Sequence, residues 1–437
     1  CMLRIFRRNP RTQSFYRNLL LWLTILGLAR MSWWGYERPH KIVMFFNRLI
    51  PPIVLLAVLS EMAYIFANRN ELTFKTLVVI FTIFPVTCII FVNTLSSFFK
   101  SYQKLMINFM EKINLYLKFN EYIIYRSKYF TIIKLEQVIR YTSYFLITCI
   151  MIDWFSWVFY PVITNIINIE KIRNQTIPLN VFIYFWTPYF EYNYNVRNWI
   201  ILHNIDAVLG WAGCSIVAAF TSIVYIFVYH FIGHIKALKE MIKCKFRDAS
   251  NREETSRNLV DVIKYHIFIK KLFKELESAF GLNVTATYVH NLIGDSLLLY
   301  QVMFGEKEAL LSYGLMFFLY MGSLILLSFV LEEIKIQSND LSIMLYDIPW
   351  EDMSVRNRKT YLLLFSQVQV PMQFHGAGNL KAGVQPMISV GFLENSCWTI
   401  NNIFTMNNFH TKTLNRLNPL YKLDYRQFRK AEYCTSF

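Results

Sequence analysis

Six stretches of this chain run apolar for about 20 residues, the length needed to cross the hydrocarbon core of a bilayer. They are 49–67, 76–99, 141–163, 205–230, 282–304 and 310–331. The sixth, LLSYGLMFFLYMGSLILLSFVL, carries no charge at all. The second contains Pro85, where a kink is expected. A seventh candidate, 383–406, starts as GVQPMISV and then meets Gly391, Glu394, Asn395 and Ser396. In lipid every backbone polar group must be satisfied within the chain, so such runs form helices or closed barrels. Runs of this length predict an all-α, polytopic membrane protein of seven transmembrane helices.

Composition agrees. The chain is 55% hydrophobic and 17% charged, against about 45–50% and about 25% in soluble domains. The net charge is +16, but the basic residues sit between the apolar runs rather than in one tract. That points to membrane topology, and nucleic acid is not an expected partner.

Lys and Arg near the ends of spans stay on the cytoplasmic side. Segments 1–48, 100–140, 231–281 and 332–382 hold 33 of them, while 68–75, 164–204 and 305–309 hold 6. The N-terminus is therefore expected inside and odd-numbered spans run outward. This opposes the G-protein-coupled receptor arrangement, and neither D-R-Y nor N-P-x-x-Y occurs in the expected place. Segment 231–281 has a helical pattern and is expected in the cytoplasm.

Residues 19–29, LLLWLTILGLA, follow a basic segment as in a signal peptide. The next residues, Arg30 to Trp34, do not form a small-residue cleavage site. A short amphipathic helix near the membrane is expected instead. The chain begins with Cys rather than Met, so residues preceding it are also an expectation.

Enzyme chemistry finds little support. There is no Gly-rich phosphate loop, nucleophile elbow or metal-ligand cluster, and no cofactor or metal is expected. The seven Cys show no CxxC pair. Cys88, Cys149 and Cys214 lie in apolar runs as small core residues. His290 and Asp295 match an H-x4-D acyltransferase pattern, but five residues place them on different sides of a helix. A transporter would show internal repeats and broken helices, and none is evident.

The segment LYDIPWEDMSVRNRKTYLLLFSQVQVPMQFHGAGNLKAGVQPM, 345–387, resembles the C-terminal region of insect odorant receptors. Tyr346 and Trp350 match its aromatic block. Arg358 with Leu362, Leu363 and Leu364 matches its R-x-x-L-L-L helix. Gln369 with Pro371, then Gly376, Gly378 and Gly383, match the approach to the last span. KYHIFIKKLFKELESAFG, 264–281, is similar to the family's helix before span five and includes His266. The resemblance covers about residues 40–390. A gustatory receptor would share the fold but end in a T-Y and Q-F signature that is not seen.

The resemblance implies a ligand-sensing subunit of a non-selective cation channel. It would assemble with a co-receptor in the plasma membrane of olfactory sensory neurons. It also implies a pocket for a small volatile ligand in the outer half of the bundle. The implied division is a cytoplasmic segment 1–48, a six-helix bundle 49–331, a cytoplasmic anchor 332–382, the seventh span 383–406 and a basic tail 407–437.

A small apolar ligand needs a dry cavity with few polar anchors. Candidate lining residues are Phe81 and Phe84 in span two, and Asp153, Phe155, Trp157, Phe159 and Tyr160 in span three. Span four adds Asp206 and Trp211, and span six adds Tyr313, Phe317 and Tyr320. For any one aromatic, ordinary helix packing is the competing reading. Asp206 is read either as a residue of the wet outer interface or as functional. Asp153 is read either as a partner of Ser or Tyr hydroxyls or as a ligand anchor. The aromatic loop FIYFWTPYFEYNYN, 182–195, is read as a lid bearing Trp186, or as an interface belt. Asn174-Gln175-Thr176 is a glycosylation sequon on the expected outer side, whereas the sequon at Asn283 lies within span five and should stay bare.

Beyond Val390 two readings stand. One is a polar pore helix with an extracellular tail, in which Val384, Gln385, Met387 and Ile388 line the gate. The other is replacement of the true final helix by unrelated sequence. The second explains why the tail 407–437 carries six Lys and Arg on what would be the outer side.

Overall fold

A computed structural model describes residues 11, 13–70, 72, 74–115, 129–187, 190–247, 252–304 and 310–389. Among these the chain is helical, and the one β-bridge pairs His375 with Lys381. The α-helices among the described residues include α1 (Ser14–Ile25), α2 (Lys41–Ala67), α3 (Phe74–Ser96), α4 (Lys100–Asn108), α5 (Tyr129–Ile167), α6 (Ile169–Arg173), α7 (Val196–Arg247), α8 (Arg252–Phe304), α9 (Leu310–Tyr346) and α10 (Val355–Val368). A further helical turn begins at 384 and is described to 389. Expectations for 390–437, including Glu394 and the basic tail, lie outside the described residues.

Among the described residues five helices are long and apolar enough to span a membrane: α2, α3, α5, α7 and α9. The fifth expected span, 282–304, lies within α8, which carries Asn283, His290, Asn291 and Asp295, all buried. A helix packed against other helices rather than lipid tolerates such residues.

Several expected boundaries do not exist as breaks. The fourth span and the segment after it form one helix of 52 residues, α7, about 78 Å long at 1.5 Å per residue. The sixth span likewise continues through residue 332 to Tyr346. The supposed anchor region thus starts inside a helix, because no Gly or Pro separates 323 from 346. On the side assigned to the cytoplasm by charge, these helices project as rods beyond the bilayer thickness of about 30 Å.

The rods carry a core of their own. In α1, Phe15, Leu19 and Leu23 recur at i, i+4 and i+8 beside Tyr16 and Leu20, and all five are buried. The Tyr16 hydroxyl meets His230 Nε2 of α7 at 3.1 Å. The fully buried Trp34 donates from Nε1 to the Met106 carbonyl at 2.7 Å. His234 bonds the Ile113 carbonyl through Nε2 at 2.7 Å and the Tyr265 hydroxyl through Nδ1 at 2.8 Å.

The resemblance motifs fold the stretch after α9. Arg358 donates from Nε to Met353 O at 2.9 Å and from a terminal nitrogen to Glu351 O at 2.7 Å, fixing the turn that holds Trp350. Trp350 stacks on Tyr361, whose hydroxyl donates to Leu345 O at 2.8 Å. Tyr346 stays exposed and meets Phe365 at the edge. Pro371 follows α10 and prevents its continuation. Residues 374–382 then return against α8, where His375 N donates to Glu277 Oε1 at 2.8 Å. A Cβ on Gly376 would clash with Thr285 Oγ1 and stand 3.2 Å from the Gly281 carbonyl, so a larger residue here would push the chain away from α8.

Candidate functional site: a cavity inside the helical bundle

The phase of α5 sorts the expected pocket residues. Asp153, Trp157 and Tyr160 follow one another at i, i+4 and i+7 and turn inward, with Asp153 4% and Trp157 6% exposed. Phe155 and Phe159 are also four apart, but on the opposite face. They are 51% and 53% exposed and stack on each other. Of the candidate lining residues of this helix, Phe155 and Phe159 therefore do not line the interior. An α-helix cannot turn 153, 155, 157 and 159 to one side. The same holds for Phe81 on α3 and Trp211 on α7, which face outward, while Phe84 is half-buried. These exposed rings suit contact with acyl chains.

Inward-facing aromatics of α9 meet those of α5. Tyr313, Phe317 and Tyr320 again recur at i, i+4 and i+7. The Trp157 ring lies 5.6 Å from that of Tyr313, and its Nε1 donates to Met316 Sδ at 3.1 Å. Leu298 of α8 and Phe182 and Ile183 of the outer loop complete this cluster. The loop thus contributes its first residues to the interior. Trp186 does not follow them: it is 49% exposed, and its backbone N–H donates to Ser60 Oγ of α2 at 3.0 Å.

Below the aromatic cluster lies a cavity of about 90 Å³ between α3, α7, α8 and α9. Its walls mix Val86, Ile89, Val217 and Leu327 with Asn93, Thr287, His290, Asn291, Tyr320 and Ser323. Asn283 Nδ2 donates to Asn93 Oδ1 at 2.8 Å across the cavity wall. His290 Nε2 and the Asn291 side-chain oxygen find no hydrogen-bond partner among the described residues. Buried polar atoms of this kind are normally satisfied, so the cavity offers one donor-or-acceptor nitrogen and one acceptor oxygen to an occupant. His290 and Tyr320 rings stand 4.9 Å apart, which makes Tyr320 the link between the aromatic cluster and the cavity.

Asp153 borders this region. It lies within electrostatic range of Tyr320 and Cys214, and its Oδ1 accepts no hydrogen bond from a described residue. Asp206 does not join the cavity. Nor does it sit in the wet interface, since it is only 1% exposed. Among the expected gate residues, Met387 packs on the core, whereas Gln385 and Ile388 are exposed. Val384 N donates to Glu332 Oε2 at 3.3 Å.

Asn93, Thr287, Asn291 and Glu61 are not among the candidate residues named from the sequence, yet each is a polar residue within an apolar helical run, the property that singles out Asp153. Asn283, expected to stay bare, is buried and paired with Asn93.

These features are set in a chain whose residues 126–390 match the model of the 7tm odorant receptor family. The chain belongs to that family. Odorant receptor 30a of Drosophila melanogaster is 25% identical over 223 residues, 49% of this chain and 55% of that receptor. The chain thus spans little more than half the length of that curated relative. Two solved structures share the fold: the olfactory receptor OR5 of the insect Machilis hrabei and the same receptor in complex with eugenol. They align over 89% of this chain and 97% of theirs, at 14% and 13% identity, with TM-scores of 0.71 and 0.70. This is a multi-pass receptor family rather than an enzyme family. In this odorant receptor chain the family match closes at Val390.

Proposed function

We propose that this chain is the ligand-sensing subunit of a cation channel in the plasma membrane of olfactory sensory neurons, working with a co-receptor. A small volatile molecule binds between the Trp157, Tyr313 and Tyr320 rings and the polar atoms beneath them. The observation that carries the reading is the cavity itself: mostly apolar walls, an aromatic roof, and two buried polar atoms, on His290 and Asn291, without protein partners. Such a site gains from burying an apolar ligand, and a single hydroxyl or carbonyl on the ligand answers the open polar atoms. The Machilis receptor, a protein of the same fold, has been solved with eugenol, which carries an aromatic ring with polar oxygens.

Assembly has a candidate surface. On α10, Leu362 and Leu363 are 56% and 69% exposed although the helix stands outside the expected bilayer. This suits a cytoplasmic contact with neighbouring subunits. The gate is assigned to Val384, Gln385, Met387 and Ile388 at the start of the last helix. Asn174, exposed in the outer loop, is assigned as a glycan acceptor.

The test is ion current in cells expressing the chain with a family co-receptor, across a panel of volatiles. The chain as given is compared with one ending at Val390 and with one carrying a family-type last helix after Val390. Evoked current from the chain as given supports the polar last helix. Current only from the graft supports the pocket and places the defect after Val390. Silence from all three, with surface expression verified, overturns the channel-subunit reading.

A further inference from the structure

A larger cavity, of about 670 Å³, lies where the end of α1, the start of α2 and the end of α3 come together. Span one runs outward and span two inward, so this is the cytoplasmic end of the bundle. Three arginines line the cavity: Arg30 from the turn after α1, Arg38 just before α2, and Arg48 on α2. None of their guanidinium groups has an ion pair or hydrogen bond with a described residue. No Asp or Glu lines the cavity with them, and Glu37, next to Arg38 in sequence, is exposed and outside the lining.

The walls are fixed by the backbone around them. Gly27 closes α1 with φ of +80°, and the Leu28 and Ala29 N–H groups donate back to Leu23 O at 2.9 and 3.3 Å. A Cβ on Gly27 would stand 3.0 Å from Asn47 O and 3.2 Å from Pro51 Cγ, so α1 and α2 touch at this point. Asn47 Nδ2 donates to Thr24 O at 2.8 Å across the same contact. Met44, Asn47, Arg48 and Pro51 recur at i, i+3, i+4 and i+7 and give the cavity one face of α2. Gln103 Nε2 of α4 donates to Ser97 O at 3.3 Å and joins the end of α3 to the wall.

Three cations around one space repel one another and leave their donors unused. Arginine presents a planar fork of N–H groups that matches phosphate oxygens two at a time. Arg38 and Pro39 lead into the N-terminus of α2, whose dipole also favours an anion. The rest of the lining is apolar where it faces outward: Met44 and Phe98 are exposed, and so are Phe45 and Phe46 beside them on α2. The cytoplasmic leaflet supplies anionic headgroups joined to acyl chains.

We propose that this cavity binds the phosphate headgroup of an anionic phospholipid from the cytoplasmic leaflet, with Arg30, Arg38 and Arg48 on the phosphate oxygens and the acyl chains against Met44 and Phe98. A soluble phosphate shares the headgroup chemistry but gains nothing from the apolar rim. The bound lipid ties the turn after α1 to the first two spans.

The test is calorimetric binding to the purified full chain, washed free of phospholipid in dodecyl maltoside. The probes are dioctanoyl phosphatidic acid, dioctanoyl phosphatidylcholine and glycerol 3-phosphate. Phosphatidic acid should bind at least tenfold more tightly than either of the others. Arg30→Gln, Arg38→Gln and Arg48→Gln together should weaken it at least tenfold. Should that variant fail to fold, Arg48→Glu alone carries the test with the same expected loss. Lys243→Gln, Lys264→Gln and Lys359→Gln together remove equal charge from exposed positions on the rods, and should change the affinity less than twofold. Equal binding of the two lipids, unchanged affinity in the folded arginine variants, or an equal loss in the lysine variant overturns the proposal. Glycerol 3-phosphate binding as tightly as phosphatidic acid assigns the site to a soluble phosphate and overturns the lipid. Binding is read without a volatile, a co-receptor or a current, so failure of the channel reading leaves this test intact.

Discussion

The Tyr288 hydroxyl holds both backbone polar groups of Gly383, accepting from its N–H at 3.1 Å and donating to its carbonyl at 3.2 Å. The same hydroxyl meets Ser328 Oγ at 2.7 Å. One phenol on α8 thereby ties α9 to the first residue before the last helix. Gly383 has φ of +146°, and an added Cβ would clash with Glu332 Oε2. Glu332 also faces Val384 N, placing a carboxylate at the start of that helix, where the helix dipole favours it.

Tyr288→Phe leaves the ring and removes all of these bonds. The expected cost is about 1–3 kcal/mol for buried groups left unpaired. Gly383→Ala should be worse, because strain and a clash with Glu332 combine. In detergent, thermal melting should fall in the order wild type, Tyr288→Phe, Gly383→Ala. If Gly383→Ala melts with wild type, the last helix is not anchored as described.

The two faces of α5 give a sharper contrast. Trp157→Ala removes a buried ring that touches Tyr313 and Met316. It should shift the half-maximal volatile concentration tenfold or more, the effect of losing about 1.4 kcal/mol or more of ligand contact. Phe155→Ala, on the exposed face, should shift it less than twofold. Dose–response curves of evoked current at matched surface expression decide the matter. Equal shifts for the two variants would mean the ligand does not sit against the inward face.

The spans were legible because hydropathy and length alone decide whether a segment belongs in lipid. Facing is a subtler property. Trp157 and Phe155 have similar composition value in a sequence, and only the helical period tells them apart. That period was available: Trp157 and Tyr160 share a face with Asp153, the one acid of the segment. Glu61 was legible on the same ground, an acid within LLAVLSEMAYIFA. What no single sequence supplies is which distant residues meet. Asn93 and Asn283 are 190 residues apart, and nothing local to either predicts their bond. The unbroken α7 and α8 were half-legible: segment 231–281 reads as helix, but where it joins a span depends only on the absence of a breaker.

His266 provides a pH dependence outside the membrane. Burial, reinforced by the Lys270 ammonium one turn on, pushes its imidazole down from 6.5 to about 4. Between those values the unfolded chain binds a proton that the folded chain refuses. Stability from this residue is therefore complete above pH 6.5 and declines as pH falls toward 4. Melting temperature measured from pH 7.5 to pH 5 should drop more steeply in wild type than in His266→Gln. Parallel slopes would mean that His266 is hydrated in the folded chain.

The exposed leucines of α10 test assembly separately from ligand binding. Leu364 is buried against α9 and Leu345 lies in the same core, so Leu364 stabilises the fold. Leu362 and Leu363 lie outside that core and present two large apolar side chains at the surface. Left uncovered, each would expose area worth about 25 cal/mol per Å² of burial. Leu362→Asp with Leu363→Asp should therefore leave the melting temperature of the isolated chain within a few degrees of wild type. The same pair should abolish co-purification with the co-receptor and with it the evoked current. Leu364→Ala should do the reverse, losing about 2–5 kcal/mol of stability while the folded fraction still assembles. If the double aspartate variant assembles normally, the subunit contact lies elsewhere on the rods.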